Sequence, residues 1–209
     1  MSTAAEGLGV EGVHVWRGDR HVLRNVSLTI NPGEALHVSG RNGSGKTTLL
    51  KVACGLLRPE QGRVSWLGRS IAEVRSDFQQ ALAYASHEPA LKGDLTALEN
   101  LRFMIGLKRR SSAAELMGFL ERTGVASCAD LPVRVLSAGQ RRRVAMARVL
   151  GMRAVLWLLD EPFTNLDTVG SEIFATLIAE HVSNGGMAVV VAHHELVLPT
   201  AARRLELPG

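Results

Sequence analysis

The sequence predicts an α/β protein, and three observations carry that prediction. A glycine-rich loop, Gly40-Arg41-Asn42-Gly43-Ser44-Gly45-Lys46-Thr47, joins a short apolar run to a segment with helical patterning. A second apolar run, Val155 to Leu159, ends in the paired carboxylates Asp160 and Glu161. Around both, short apolar strands alternate with helical stretches, the order expected of a largely parallel sheet covered by helices.

The elements follow in order. Residues from about Val10 to Ile30 alternate polar and apolar, as antiparallel strands with one buried face do. Asn31-Pro32-Gly33 is a turn signal, and Ala35 to Ser39 is a strand feeding the glycine loop. Lys46 to Leu57 reads as the helix after that loop. Arg58-Pro59-Glu60-Gln61-Gly62 breaks the chain before a second β segment, Val64 to Leu67. Leu98 to Val125 is helical in pattern, interrupted by Lys108-Arg109-Arg110-Ser111-Ser112, and is expected to form an α-helical lobe at about 93–140. Beyond it a helix from Gln140 to Leu150, the Val155–Asp160 strand, a helix near Val169–His181 and a Met187–Ala192 strand restore the alternation. No linker is long enough to split the chain, so residues 1–209 are expected to form one domain.

Bulk properties bound the function. At 209 residues with 46% hydrophobic content, the chain can bury a full α/β core. No apolar stretch approaches the ~18 residues that span a bilayer, and the N-terminus lacks the layout of a signal peptide. Cys54 and Cys128 sit in no metal or disulfide spacing, which agrees with a reducing compartment. The net charge of +4 suits an acidic ligand or an anionic membrane face without requiring nucleic acid.

The glycine loop fits the phosphate-binding pattern G-x-x-x-x-G-K-[ST] at every fixed position. Glycines allow a tight path on which successive N–H groups point inward at a phosphate, assisted by the positive end of the following helix. The nucleoside-triphosphate-binding stretch therefore runs from Gly40 through Thr48. Lys46 brings a mobile ammonium to the β- and γ-oxygens, and Thr47 a hydroxyl to Mg²⁺. A Gly-rich turn before a helix is the plain alternative, and the agreement of strand, loop and helix weighs against it. Asp160, at a strand end beside that loop, can hold Mg²⁺ through water. Glu161 can reach the attacking water as its base. An acidic strand end before the turn at Pro162 is the rival reading.

Between these two motifs stands Leu136-Ser137-Ala138-Gly139-Gln140. Ser137 reads as an N-cap, so a serine hydroxyl, the Gly139 backbone and a helix N-terminus make a second anion site. The run resembles the LSGGQ signature of ABC-type ATPases, with Ala138 in place of the commoner glycine. A methyl group there is tolerable if the backbone keeps ordinary dihedrals. The resemblance covers nearly the whole chain, with its motifs in the family's order. It implies a P-loop NTPase (RecA-like) core with an antiparallel β-subdomain and an α-helical subdomain. It also implies ATP and Mg²⁺, and a homodimer in which each signature meets the γ-phosphate held by the other subunit's loop. Arg141, Arg142 and Arg143 spread around a helix axis instead of forming one stripe, which disfavours nucleic acid and leaves a solvated or dimer-facing role.

Smaller motifs carry the resemblance further. Asn165-Leu166-Asp167 resembles the D-loop that touches the opposite subunit. His193 falls where these ATPases place a switch histidine on the γ-phosphate, beside an incidental His194. Trp16 lies where an aromatic would stack on adenine, with a core or interface tryptophan as the rival. His87 departs from the family, which places glutamine there to meet Mg²⁺. Imidazole is a poorer Mg²⁺ ligand than a carbonyl oxygen, so His87 is a candidate for the metal site or for orienting water. His87-Glu88-Pro89, Leu95-Thr96-Ala97-Leu98-Glu99-Asn100-Leu101 and the signature followed by three arginines are similar to one branch of the family. That branch supplies ATP-binding subunits to the heme exporter complexes of c-type cytochrome maturation. It implies a peripheral ATPase on the cytoplasmic face of the inner membrane, docked on separate multi-span membrane subunits. Nothing in the residues encodes heme. A motor for another exported substrate and an ATPase acting on ribosomes or DNA are the alternatives.

Overall fold

The computed structural model describes residues 7–192 and 202–208. The N-terminal alternation builds a hairpin in which β1 (Leu8–Arg17) and β2 (Arg20–Ile30) pair antiparallel, with Leu8 opposite Ile30 and Trp16 opposite His21. A turn closed by the Glu34 N–H on the Asn31 carbonyl (3.0 Å) leads into β3 (Ala35–Gly40), and the glycine loop then opens α1 (Lys46–Ala53). The helix stops short of Leu57 because Gly55 adopts φ 75° and the Leu57 N–H turns back to the Lys51 carbonyl. β4 (Gln61–Trp66) and the two-residue β5 (Arg69–Ser70) complete an antiparallel sheet of order β2-β1-β4-β5.

The chain then enters a second sheet. α2 (Arg75–Ala81) precedes β6 (Leu82–Ala85), and the helices α3 (Ala97–Gly106), α4 (Ala113–Arg122) and α5 (Ala138–Gly151) follow. β7 (Leu156–Asp160), α6 (Thr168–Ser183), β8 (Met187–Val191) and β9 (Ala202–Leu207) finish the described chain. The sheet is parallel, in the order β6-β7-β8-β3-β9, so the glycine loop and the Asp160 carboxylate emerge at the same, C-terminal edge. Ligands of open α/β sheets bind at that edge.

Period-2 alternation divides the core. Leu156 and Leu158 of β7 face a cluster with Leu36, Val38, Leu49 and Leu50, which also joins the antiparallel sheet. Trp157 and Leu159 point the other way, onto Phe174, Ile178, Met146 and Val149. A third cluster packs α3, α4 and α5 around Leu101, Ile105, Leu116, Leu120 and Val144. α5 thus contributes to two clusters and braces the helices against the sheet.

Several boundaries differ from the sequence expectation. α5 begins at Ala138, because Ser137 caps it directly, and not at Gln140. α2 buries only Phe78 and gives no apolar period to read. β9 is an edge strand with Arg203, Arg204 and Glu206 exposed, so its composition hides it. Among the described residues, no helix is long and apolar enough to cross a membrane.

Candidate functional site

Backbone geometry makes the phosphate loop. Gly40 adopts φ 145°, and a Cβ there would lie 2.7 Å from both the Leu207 carbonyl oxygen and Ser44 Oγ. Gly45 caps α1 in the left-handed region at φ 98°. Lys46 is buried and curls over the loop, its Nζ donating to the carbonyls of Gly40 (2.8 Å) and Arg41 (3.0 Å). From β2, Arg20 donates to the Gly43 carbonyl at 2.8 Å. The loop opens onto a cavity of about 390 Å³ lined by Arg20, Lys46, Thr47, Thr48 and, from the end of β7, Glu161.

The two carboxylates take up different environments. Asp160 is 1% exposed, and neither carboxylate oxygen has a protein hydrogen bond of full geometry. Burial pushes its pKa above the ordinary 3.8, and the nearby Thr47 hydroxyl opposes that shift without cancelling it. Ser44 Oγ and Tyr84 Oη are likewise buried without partners. Burial, and then the charge of Asp160, push the Tyr84 phenol upward. Glu161 adopts φ 53°, unusual for a side-chain-bearing residue, with its N–H on the Val191 carbonyl (2.9 Å). That bend turns Glu161 out of the strand line, and Thr164 Oγ1 donates to its Oε2 at 3.2 Å.

The signature folds elsewhere. Ser137 Oγ accepts from the Gln140 N–H (3.1 Å) and Gln140 Oε1 from the Ser137 N–H (2.8 Å), a reciprocal capping box at the start of α5. Ala138 keeps a negative φ, as its methyl requires. Asp167 caps α6 by accepting from the Gly170 N–H (2.8 Å) and takes a 2.6 Å bond from Arg143 Nη2. Both contacts hold its carboxyl below the usual range. Ser137–Gln140 and Asn165–Asp167 line one cavity of about 560 Å³, which shares no lining residue with the phosphate-loop cavity. Within one chain the two motif clusters thus line two separate cavities.

Other residues fall less simply. Trp16 does not line the phosphate cavity; its ring stacks on His21, with centroids 3.9 Å apart, and His21 Nε2 meets His14 Nδ1 at 3.0 Å. His87 is exposed on the segment after β6, close enough to Asp160 to favour its ionised form. His193 and His194 lie outside the described residues. Arg142 corrects the expectation of a solvated or dimer-facing side chain: it is 4% exposed and reaches inward to the Ser86 carbonyl (3.1 Å) and the His87 carbonyl. Sequence reasoning passed over this contact, and that of Arg20, because their partners are backbone carbonyls distant in sequence.

Comparison with known proteins gives one consistent picture. Residues 23–164 match the family described as "ABC transporter". The cytochrome c biogenesis ATP-binding export protein CcmA of Nitrosococcus oceani is 47% identical over 207 residues, covering 99% of this chain and 94% of that protein. Its counterpart of the same name in Escherichia coli K12 is 42% identical over 192 residues, 91% of each. A dimeric bacterial ABC transporter cassette superposes with a TM-score of 0.87 at 26% identity, covering 96% of this chain and 94% of that one. A dimeric ATP-binding cassette in a post-hydrolysis state bound to ADP and Pi superposes with a TM-score of 0.86 at 26% identity, with the same coverage.

Proposed function

The chain belongs to the ABC transporter family as one of its ATP-hydrolysing cassettes, and from that premise we propose that it drives an exporter serving c-type cytochrome biogenesis. The name carried by its relatives supports the biological role. The observation that carries the mechanism is the separation of the two half-sites, which leaves each incomplete until a second copy supplies the other.

In this reading Gly40–Thr48 cradle the triphosphate, and Lys46 exchanges its loop carbonyls for β- and γ-oxygens. Among the described residues no cluster of three metal-ligating side chains exists, so a metal here would draw on a hydroxyl, one carboxylate and substrate phosphates. The buried, unpartnered Asp160 oxygens beside Thr47 fit Mg²⁺ in that way. Bound there, Mg²⁺ would neutralise charge on the phosphate oxygens. Glu161 takes the proton of the attacking water, His87 orients solvent near Asp160, and His193 serves as the γ-phosphate switch. Trp16 offers adenine the ring face that His21 does not cover. Leu136–Gln140 of the second copy close on the γ-phosphate through the capped start of α5. Residues 1–209 act as one domain with its helical lobe at 93–140. The dimer sits peripherally on the cytoplasmic membrane face, docked on separate multi-span subunits, and the cargo handed on is heme.

A strain carrying Glu161→Gln tests the role. A subunit held in the closed dimer cannot cycle its membrane partner. Heme staining of denaturing gels should show loss of covalent heme from c-type cytochromes while b-type cytochromes persist. Normal c-type staining would leave an exporter of another substrate.

A further inference from the structure

We infer that Arg142 is a positioning residue for hydrolysis, gripping the 86–87 backbone from α5 and so tying the signature helix to the wall of the site beside Asp160. The fork of its guanidinium spans two successive carbonyls, Nη1 to Ser86 O at 3.1 Å and Nη2 to His87 O. A planar, five-donor head suits that task, and a lysine does not. The place it grips is determined by the sheet. Ala85 pairs with Leu159 in parallel register, so Ser86 and His87 continue alongside Asp160.

The energetics argue for position over stability. Arg142 is 4% exposed, its Nε has no partner, and it forms no ion pair within salt-bridge distance among the described residues. Burial lowers its pKa, and the charges of Asp160 and Glu161 oppose that, which places both carboxylates within its field. A buried cation held by two carbonyls is a poor stabiliser compared with an apolar side chain of similar volume. Its effect is to make α5 and the 86–87 segment move together. The N-terminus of α5 carries Ser137–Gln140, so a shift beside Asp160 in one half-site is passed to the half-site offered to the second copy. Arg148, further along α5, donates to the Tyr84 carbonyl at 3.1 Å, inside the strand and away from the carboxylates. It provides the comparison, a brace of the same chemistry in a different place.

This inference rests on the hydrolytic reading of the site, so the test includes a variant that checks that reading separately. The full-length protein with ATP and Mg²⁺ is assayed as Arg142→Met, Arg142→Lys, Arg148→Met and Glu161→Gln, with equilibrium ATP binding measured beside steady-state hydrolysis. Arg142→Met is expected to bind ATP, and to hold KM, within about threefold of wild type, while kcat falls at least about tenfold. Arg142→Lys should recover part of that loss, since it keeps the charge but cannot span both carbonyls. Wild-type kcat in both Arg142 variants overturns the inference. So does an equal loss of kcat in Arg148→Met, which would make the effect a general property of the sheet edge. If Arg142→Met does not fold, Arg142→Lys set against Arg148→Met decides the matter. Wild-type turnover in Glu161→Gln would sink the site assignment; an inactive Glu161→Gln beside normal Arg142 variants sinks the brace alone.

Discussion

Gly139 and Asn165 touch so closely that a Cβ on the glycine would lie 2.7 Å from the Asn165 carbonyl oxygen. The signature and the 165–167 loop are therefore held at a spacing that only a glycine permits. Asn165 itself adopts φ 64°, so the loop has little freedom to retreat. Gly139→Ala should push the two apart at an overpacking cost of ~1–3 kcal/mol. Where that cost is borne as the signature closes on the γ-phosphate, ATPase activity should fall by ~5- to 150-fold, since each 1.4 kcal/mol is about tenfold in rate. ATP binding, which uses the other cavity, should change less than about threefold. Loss of binding together with activity would show that the half-sites are not separable.

Lys46 and Glu161 line the same cavity and are expected to fail differently. Lys46→Ala removes the cation that neutralises phosphate charge, so nucleotide binding itself should be lost. Glu161→Gln keeps the shape and removes the proton acceptor, so binding should persist, hydrolysis should fall by about 10²-fold or more, and an ATP-bound dimer should accumulate. Equilibrium binding and light scattering separate the two. Hydrolysis at the wild-type rate in Glu161→Gln would refute its assignment as base.

The legibility of this site from sequence follows the locality of its chemistry. Gly40–Thr47, Ser137–Gln140 and Asp160-Glu161 are readable because each group works through its immediate neighbours: successive N–H groups, a capping box, a strand end. The hairpin and the apolar strands are readable because burial imposes a period. Arg142, Arg20 and Arg148 are not, since each acts on a backbone carbonyl, and every residue has one. β9 is hidden for a related reason: an edge strand with one wet face carries charges where a central strand carries valines. Trp16 shows the limit from the other side. Its neighbourhood on the hairpin could be expected, but the stack with His21 depends on a register shift between Val15 and Trp16 that no composition announces.

Asp160 links pH to stability. Its folded pKa lies above the ordinary 3.8, chiefly through burial, so the folded state holds its proton more tightly than the unfolded chain. Between those two values the folded state binds more protons, and stability falls as pH rises through that window. At neutral pH the buried charge is therefore a standing cost. Asp160→Asn should raise the melting temperature of the nucleotide-free protein by a few degrees at pH 8 and by less at pH 4, while abolishing Mg²⁺-dependent hydrolysis. Thermal melts at both pH values check the sign. A lower melting temperature at pH 8 would mean that the carboxylate is well satisfied in the fold.

The separation of the cavities makes a further prediction in mixed dimers. Lys46→Ala disables a phosphate loop and leaves its signature intact; Ser137→Arg blocks a signature and leaves its loop intact. Neither pure protein should hydrolyse ATP, because in a two-fold dimer each site needs one part from each chain. In a mixed dimer, one site receives both defects and the other receives neither. Random pairing at equal amounts makes about half the dimers mixed, and each then carries one competent site of two. If the sites act independently, about a quarter of wild-type activity should return after subunit exchange. A plot of ATPase activity against mixing ratio should rise from zero, peak near the midpoint and fall again. Should a disabled neighbour slow the intact site, the peak shrinks but its position stays. A straight line between the two pure variants would show that one chain completes its own site, and the head-to-tail dimer would have to be abandoned.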